Sequence, residues 1–256
     1  MVGLLIFIFG LAIGSFLNVL IYRLPRNESI LGFSKCLQCR KKIAWHDNIP
    51  VVSFFVLKGR CQKCGSKIFW QYPLVELLTG FLFLFSFLVY RENPVFLIYV
   101  LFLISLLVAI AFIDLKHFLI LDSLILSGFI ISFIFIFFAS SFSLPVSHFY
   151  GLLFFAGFFL FLFLITKGKG IGLGDVKLAA WLGFVFGFEN SISVFYLTFF
   201  IGFICAIMLL VSKKAGLKSK MPLGSLMALA SILFLLSGFN LPDFINSELI
   251  LRLWLN

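Results

Sequence analysis

Two aspartates, each placed where a long apolar stretch meets a polar one, are the residues best suited to chemistry. Asp114 follows Ala111-Phe112-Ile113 and precedes Leu115-Lys116; Asp175 follows Gly170-Ile171-Gly172-Leu173-Gly174 and precedes Val176-Lys177. A carboxylate at membrane depth costs about 2.5–3.5 kcal/mol on insertion scales and marks a functional site by default. Two carboxyl groups together can activate a water, one as base and one as acid, and cleave a peptide bond. Alone, Asp175 reads as a helix cap; the second aspartate at a comparable depth shifts the reading to a catalytic pair. Gly172 and Gly174 strip side chains from the approach to Asp175, so that a substrate peptide can lie beside the backbone as an added strand, with Lys177 close by.

The other reactive cluster is Cys36-Leu37-Gln38-Cys39 and, after a gap of 21 residues, Cys61-Gln62-Lys63-Cys64. Two such knuckles in one polar loop present four thiolates in the tetrahedral set that zinc prefers, and four sulfurs leave no open position, so a structural ion is expected. A loop of about 50 residues buries too little apolar surface to hold itself together, and a metal offsets that deficit. His46 and Asp47 in the same loop read as surface residues, and Cys205 as packing within an apolar helix.

These groups must be positioned by a membrane protein. Of 256 residues, 62% are hydrophobic and 12% charged, with a mean hydropathy of +1.19; soluble domains carry about twice that share of charge. Eight apolar segments read as membrane helices, near 2–22, 73–90, 94–113, 123–139, 148–166, 176–188, 191–211 and 223–239. The sixth is short, which leaves seven crossings as the alternative. The expected architecture is an all-α polytopic membrane protein of about eight helices, divided into a first transmembrane helix (1–22), a small cytoplasmic zinc-binding domain (23–72) and a multi-helix membrane domain (73–256). The first segment lacks a basic start and a cleavage site, and is expected to remain as a helix with its N-terminus outside. In that orientation 18 of the 20 Lys and Arg face the cytoplasm, leaving Arg91 and Arg252 outside. The positive-inside rule therefore accounts for the net charge of +10, together with attraction to anionic lipid, and no nucleic-acid partner is expected. Both aspartates then fall at the cytoplasmic edge. The 38 phenylalanines read as lipid-facing bulk.

Further motifs carry a resemblance. Gly14-Ser15-Phe16-Leu17-Asn18-Val19 with Arg23-Leu24-Pro25, the two knuckles around Asn48-Ile49-Pro50, Tyr72-Pro73-Leu74-Val75-Glu76, Asp114-Leu115-Lys116, Gly172-Leu173-Gly174-Asp175-Val176-Lys177 and Pro222-Leu223-Gly224 occur in order. Together they resemble the bacterial type IV prepilin peptidases, leader peptidase/N-methyltransferases of the GxGD aspartyl protease class. The resemblance implies cleavage of a basic leader from prepilins and pseudopilins at the cytoplasmic face of the inner membrane, followed by methylation of the new N-terminal residue from S-adenosylmethionine. It maps the dyad onto Asp114 and Asp175 and the zinc site onto the four cysteines. The chain departs from the pattern where the family often has proline: at Leu37, at Leu121 and at Ser225.

Two other classes compete. A cation transporter would use paired aspartates at the bilayer midplane within inverted repeats, but both aspartates lie at one edge and no repeat is evident. A non-enzymatic scaffold built on the cysteine loop gives no reason for a glycine-flanked aspartate.

Overall fold

Apolar runs of 18 residues or more leave the backbone no polar partner except itself, so the chain folds as helices. The computed structural model describes residues 1–139, 145–212 and 221–238. The helices are α1 (Val2–Arg23), α2 (Val52–Val56), α3 (Gln71–Tyr90), α4 (Pro94–His117), α5 (Asp122–Ala139), α6 (Val146–Thr166), α7 (Leu173–Val211) and α8 (Leu223–Ser237). Among the described residues there is no strand, only two isolated β-bridges, Lys35 with Lys42 and Arg60 with Lys67. Lys213, Lys214, Lys218, Lys220, Phe239 and Arg252, which enter the topology and crossing expectations, lie outside the described residues.

Six helices (α1 and α3 to α7) are long and apolar enough to cross a bilayer, and the protein is a multi-pass membrane protein. The α8 helix has 15 residues. The segments expected at 176–188 and 191–211 form one run of 39 residues. Straight, it would reach about 58 Å, roughly twice the thickness of a hydrocarbon core, but it is not straight. Gly187 sits at φ 71°, ψ 174°, a conformation essentially confined to glycine. Before it, partners on α6 run backwards: Ser147 and His148 approach Gly187, and Gly151 approaches Gly183. After it they run forwards, Phe155 on Phe195 and Phe159 on Phe199. The chain therefore folds back at Gly187 with almost no loop. A count of about eight crossings is reached only by counting the two arms of α7 and the short α8 separately.

The chain divides into two compact units, Met1–Phe112 and Ile113–Asn256. In the first, α1 packs on α3 at van der Waals range: a Cβ on Gly14 would lie 2.7 Å from the Glu76 Cα. Such small-residue contacts are how membrane helices approach closely. In the second, Trp181 of α7 is fully buried and its indole N–H donates to Ser132 of α5 at 3.3 Å. The α8 helix lies along α7, with Phe186 against Phe234 and Gly202 beside Leu226.

Candidate active site

Asp114 lies in the last turn of α4 and is 4% exposed. A buried carboxylate needs hydrogen-bond donors, and the chain supplies one from far along its length. Oδ2 of Asp114 accepts the backbone N–H of Ser225 at 2.7 Å. Ser225 is the third residue of α8, after the N-cap Pro222, and its N–H has no partner within its own helix. The aspartate thus ends one helix and is met by the open start of another. The sequence departure at Ser225 matters here, because a proline at this position has no N–H to give.

Asp175 lies in the first turn of α7 and is half-buried. Its Oδ2 accepts the N–H of Gly172 at 2.9 Å, and the Asp175 N–H reaches back to the Gly172 carbonyl. Gly172 is the extended N-cap of α7, whereas Gly174 is already helical. The missing side chain of Gly174 makes room for Ile120, whose Cβ would be 3.1 Å from an added Cβ. Gly224 does the same on the other side: an added Cβ would lie 2.7 Å from Ile120 Cδ1 and 3.1 Å from Asp114 Oδ2. Ile120 thus touches the glycine beside each aspartate. The two carboxyl groups are within electrostatic reach of each other. Lys177 does not face Asp175; its Nζ donates to both oxygens of Asp122 at 2.8 Å. Asp122 is thus the ion-pair partner joining the start of α5 to the start of α7.

In the first unit, the Sγ atoms of Cys36, Cys39, Cys61 and Cys64 all lie within 4.8 Å of one another, a cluster that can hold a metal ion. The two knuckles share one backbone design. The Arg40 N–H donates to the Cys36 carbonyl and the Gly65 N–H to that of Cys61, and Arg40 and Gly65 both adopt positive φ. Burial pushes the Cys36 thiol up, but the amides of Cys39 and Gln38 and the Ser66 hydroxyl outweigh it and bring it down to about 6 from 9.0. Ser66 also lowers Cys64. Cys39 is raised: the Lys41 amide acts to lower it, and the neighbouring thiols and burial prevail. The His46 and Asp47 side chains approach each other to 3.7 Å, and the His46 ring also meets Trp45 edge-on.

Ser225 and Ile120 are what sequence reasoning missed. Pro222-Leu223-Gly224 shows a helix start, and nothing in its spacing points to Asp114. Ile120 reads as one more apolar residue.

Known proteins resemble the chain along most of its length. Residues 8–90 match the bacterial peptidase A24 N-terminal domain, and residues 101–207 match the type IV leader peptidase family. The chain is 34% identical over 245 residues to the prepilin leader peptidase/N-methyltransferase of Bacillus subtilis (strain 168), covering 94% of this chain and 96% of that one. It is 38% identical over 198 residues to the protein of the same name from Klebsiella pneumoniae, covering 73% and 86%. Against the one from Myxococcus xanthus (strain DK1622) the identity is 37% over 221 residues, 82% of this chain and 64% of that protein. The chain thus spans under two thirds of the length of the Myxococcus relative. No solved structure matches the chain.

Proposed function

The chain belongs to the type IV leader peptidase family, and from that premise we propose that it removes the basic leader of prepilins and pseudopilins at the cytoplasmic face of the bacterial inner membrane, then methylates the new N-terminal residue from S-adenosylmethionine. It is an enzyme of the aspartic-type endopeptidase class. The observation that carries the reading is the buried Asp114 carboxylate, held by the Ser225 amide and within electrostatic reach of Asp175.

The chemistry follows from the pair. One carboxylate takes a proton from a water, whose oxygen attacks the leader carbonyl. The other, protonated, gives its proton to the carbonyl oxygen. As the carbon–nitrogen bond breaks, the first carboxyl passes the proton taken from water to the leaving nitrogen, and the second recovers its own from the tetrahedral hydroxyl as the carbonyl re-forms. Gly172 leaves a side-chain-free approach to Asp175, Gly174 makes room for Ile120, and Lys177, through Asp122, fixes the start of α7. The substrate is itself a membrane helix with a polar leader, so it reaches the site by lateral diffusion and presents its cleavage point at the depth of the dyad.

The four cysteines would hold a structural zinc. A tetrahedral ion about 2.3 Å from each sulfur sets neighbouring sulfurs about 3.8 Å apart, and the Cys36 and Cys64 sulfurs are 3.8 Å apart. Bound there, the ion would join the two knuckles into one folded loop.

Co-expression with a prepilin tests the dyad. Asp114→Asn and Asp175→Asn should each leave the leader uncleaved, with rate losses of about a hundredfold or more. Full-rate processing by either variant would remove that aspartate from the mechanism.

A further inference from the structure

The first unit contains a cavity of about 960 Å³ that the cleavage chemistry does not use. Asn18 of α1 and Glu76 of α3 line it together with Tyr22, Tyr72, Cys36 and Cys61. The size suits a nucleoside-bearing ligand together with the end of a peptide. Asn18 and Glu76 are only 3% and 7% exposed, which is unusual for groups of this polarity.

Both are left with hydrogen-bonding capacity. Asn18 donates through Nδ2 to the Tyr72 carbonyl at 3.0 Å, but its Oδ1 has no partner among the described residues. Oε2 of Glu76 accepts the Val51 N–H at 2.7 Å, and Ser15 bonds the same carboxylate. A carboxylate has about four acceptor sites, so two remain. Val51 itself is strained: a β-branched residue at φ 63°, ψ −52°, in a tight turn closed by the Val52 N–H on the Pro50 carbonyl at 2.6 Å. Strain of this kind collects at working sites. Arg23 also lines the cavity, but its guanidinium is already shared among the carbonyls of Ser29, Ile30, Leu31 and Phe33. The buried end of the cavity therefore offers acceptors, one of them charged, to a ligand rich in N–H.

We propose that this cavity is the methyl-transfer site, where Glu76 and Asn18 receive the α-ammonium of the processed substrate and Glu76 takes its proton. The inference rests on the reading above that the chain methylates as well as cleaves. An α-ammonium, with an ordinary pKa of about 7.7–8.0, is mostly protonated near neutral pH and has no free lone pair. Loss of one proton to Glu76 frees the nitrogen pair. That pair forms a bond to the methyl carbon as the carbon–sulfur bond breaks and its electrons stay on sulfur. The sulfonium ends as a thioether and the product as a secondary ammonium.

The test uses the full-length chain in detergent or nanodiscs with a prepilin and S-adenosylmethionine tritiated in the methyl group. Glu76→Gln should cleave the leader within about twofold of wild type and lose methyl transfer by a hundredfold or more; Asn18→Ala should lose about tenfold. Ultraviolet cross-linking of the tritiated donor to wild type should label the peptide containing Tyr22 or Tyr72. Wild type that cleaves but transfers no label would overturn the bifunctional reading and this inference with it. Wild type that transfers label, alongside a Glu76→Gln protein that does so at full rate, overturns this inference alone, as does a cross-link outside the cavity. Should Glu76→Gln lose cleavage too, the cross-link on wild type decides.

Discussion

The Asp114 carboxylate accepts a 2.7 Å hydrogen bond from the backbone N–H of Ser225, 111 residues later in the chain. Hydrogen bonds to charged groups contribute about 1.5–3 kcal/mol. This one uses main chain, and the Ser225 hydroxyl and the Gly224 amide also act on the same carboxylate. Ser225→Ala keeps the backbone donor and loses the hydroxyl, which also bonds the Pro222 carbonyl. Its cleavage rate should fall by no more than about threefold. Ser225→Pro removes the N–H in the first helical turn, where proline is otherwise tolerated, and should slow cleavage by about tenfold or more. Equal rates for the two variants in a prepilin-processing assay would mean that this amide does not hold Asp114 in place.

Gly224 sets the space beside the same carboxylate. Gly224→Ala places a methyl 2.7 Å from Ile120 Cδ1 and 3.1 Å from Asp114 Oδ2. The isoleucine tip can move; the held carboxylate cannot do so without losing its bond. Cleavage should fall by about a hundredfold, the cost of a misplaced catalytic group, with little change in detergent thermal stability. Ile120→Ala added to Gly224→Ala should recover part of the rate by opening space on the other side of the new methyl. If the double variant is no faster than Gly224→Ala, the obstruction lies elsewhere.

The Lys177 and Asp122 pair is exposed on both partners, and such pairs contribute about 0–1 kcal/mol to stability. Its value is positional, since it joins the start of α5 to the turn that carries Asp175. Lys177→Met should change the melting temperature little and slow cleavage several-fold. The swap Asp122→Lys with Lys177→Asp should restore most of the rate at low salt. A swap as slow as Lys177→Met would show that the lysine acts through some contact other than Asp122.

The candidate residues were legible in the sequence and most of what surrounds them was not. Asp114 and Asp175 stand out because carboxylates at apolar margins are costly, and the four cysteines because ligand spacing is a local property. The partners of the aspartates come from tertiary contact. The N–H of Ser225 belongs to every non-proline residue, and Ile120 is chemically ordinary. Lys177 lies two residues from Asp175 and yet bonds a residue 55 positions away. The segments read at 176–188 and 191–211 are divided at Gly187 and not in the gap between them: Glu189 and Asn190 stay helical, and the reversal needs only the backbone freedom of Gly187.

The cysteine loop should depend on its metal. Cys36→Ser and Cys64→Ser each remove one of four ligands and should abolish bound zinc, measured as metal per chain after gel filtration. Loss of the ion should open 28–69 to limited proteolysis, because this segment buries few apolar side chains. Serine at His46 should change neither readout. Full zinc in Cys36→Ser would place the metal outside this cluster.

The reversal at Gly187 makes the sharpest stability prediction. Its backbone conformation disfavours a Cβ at a cost of about 1–3 kcal/mol. His148 of α6 reaches the same turn, its Nδ1 donating to the Phe184 carbonyl at 2.7 Å. The bond is partly buried, so His148→Ala should cost about 1–3 kcal/mol. Gly187→Ala should destabilise by a similar amount through strain. Both residues serve the same turn, so the double variant should lose less than the sum of the two. Unfolding in mixed micelles measures all three, and strict additivity would show that His148 stabilises the helix pair by some route other than this turn.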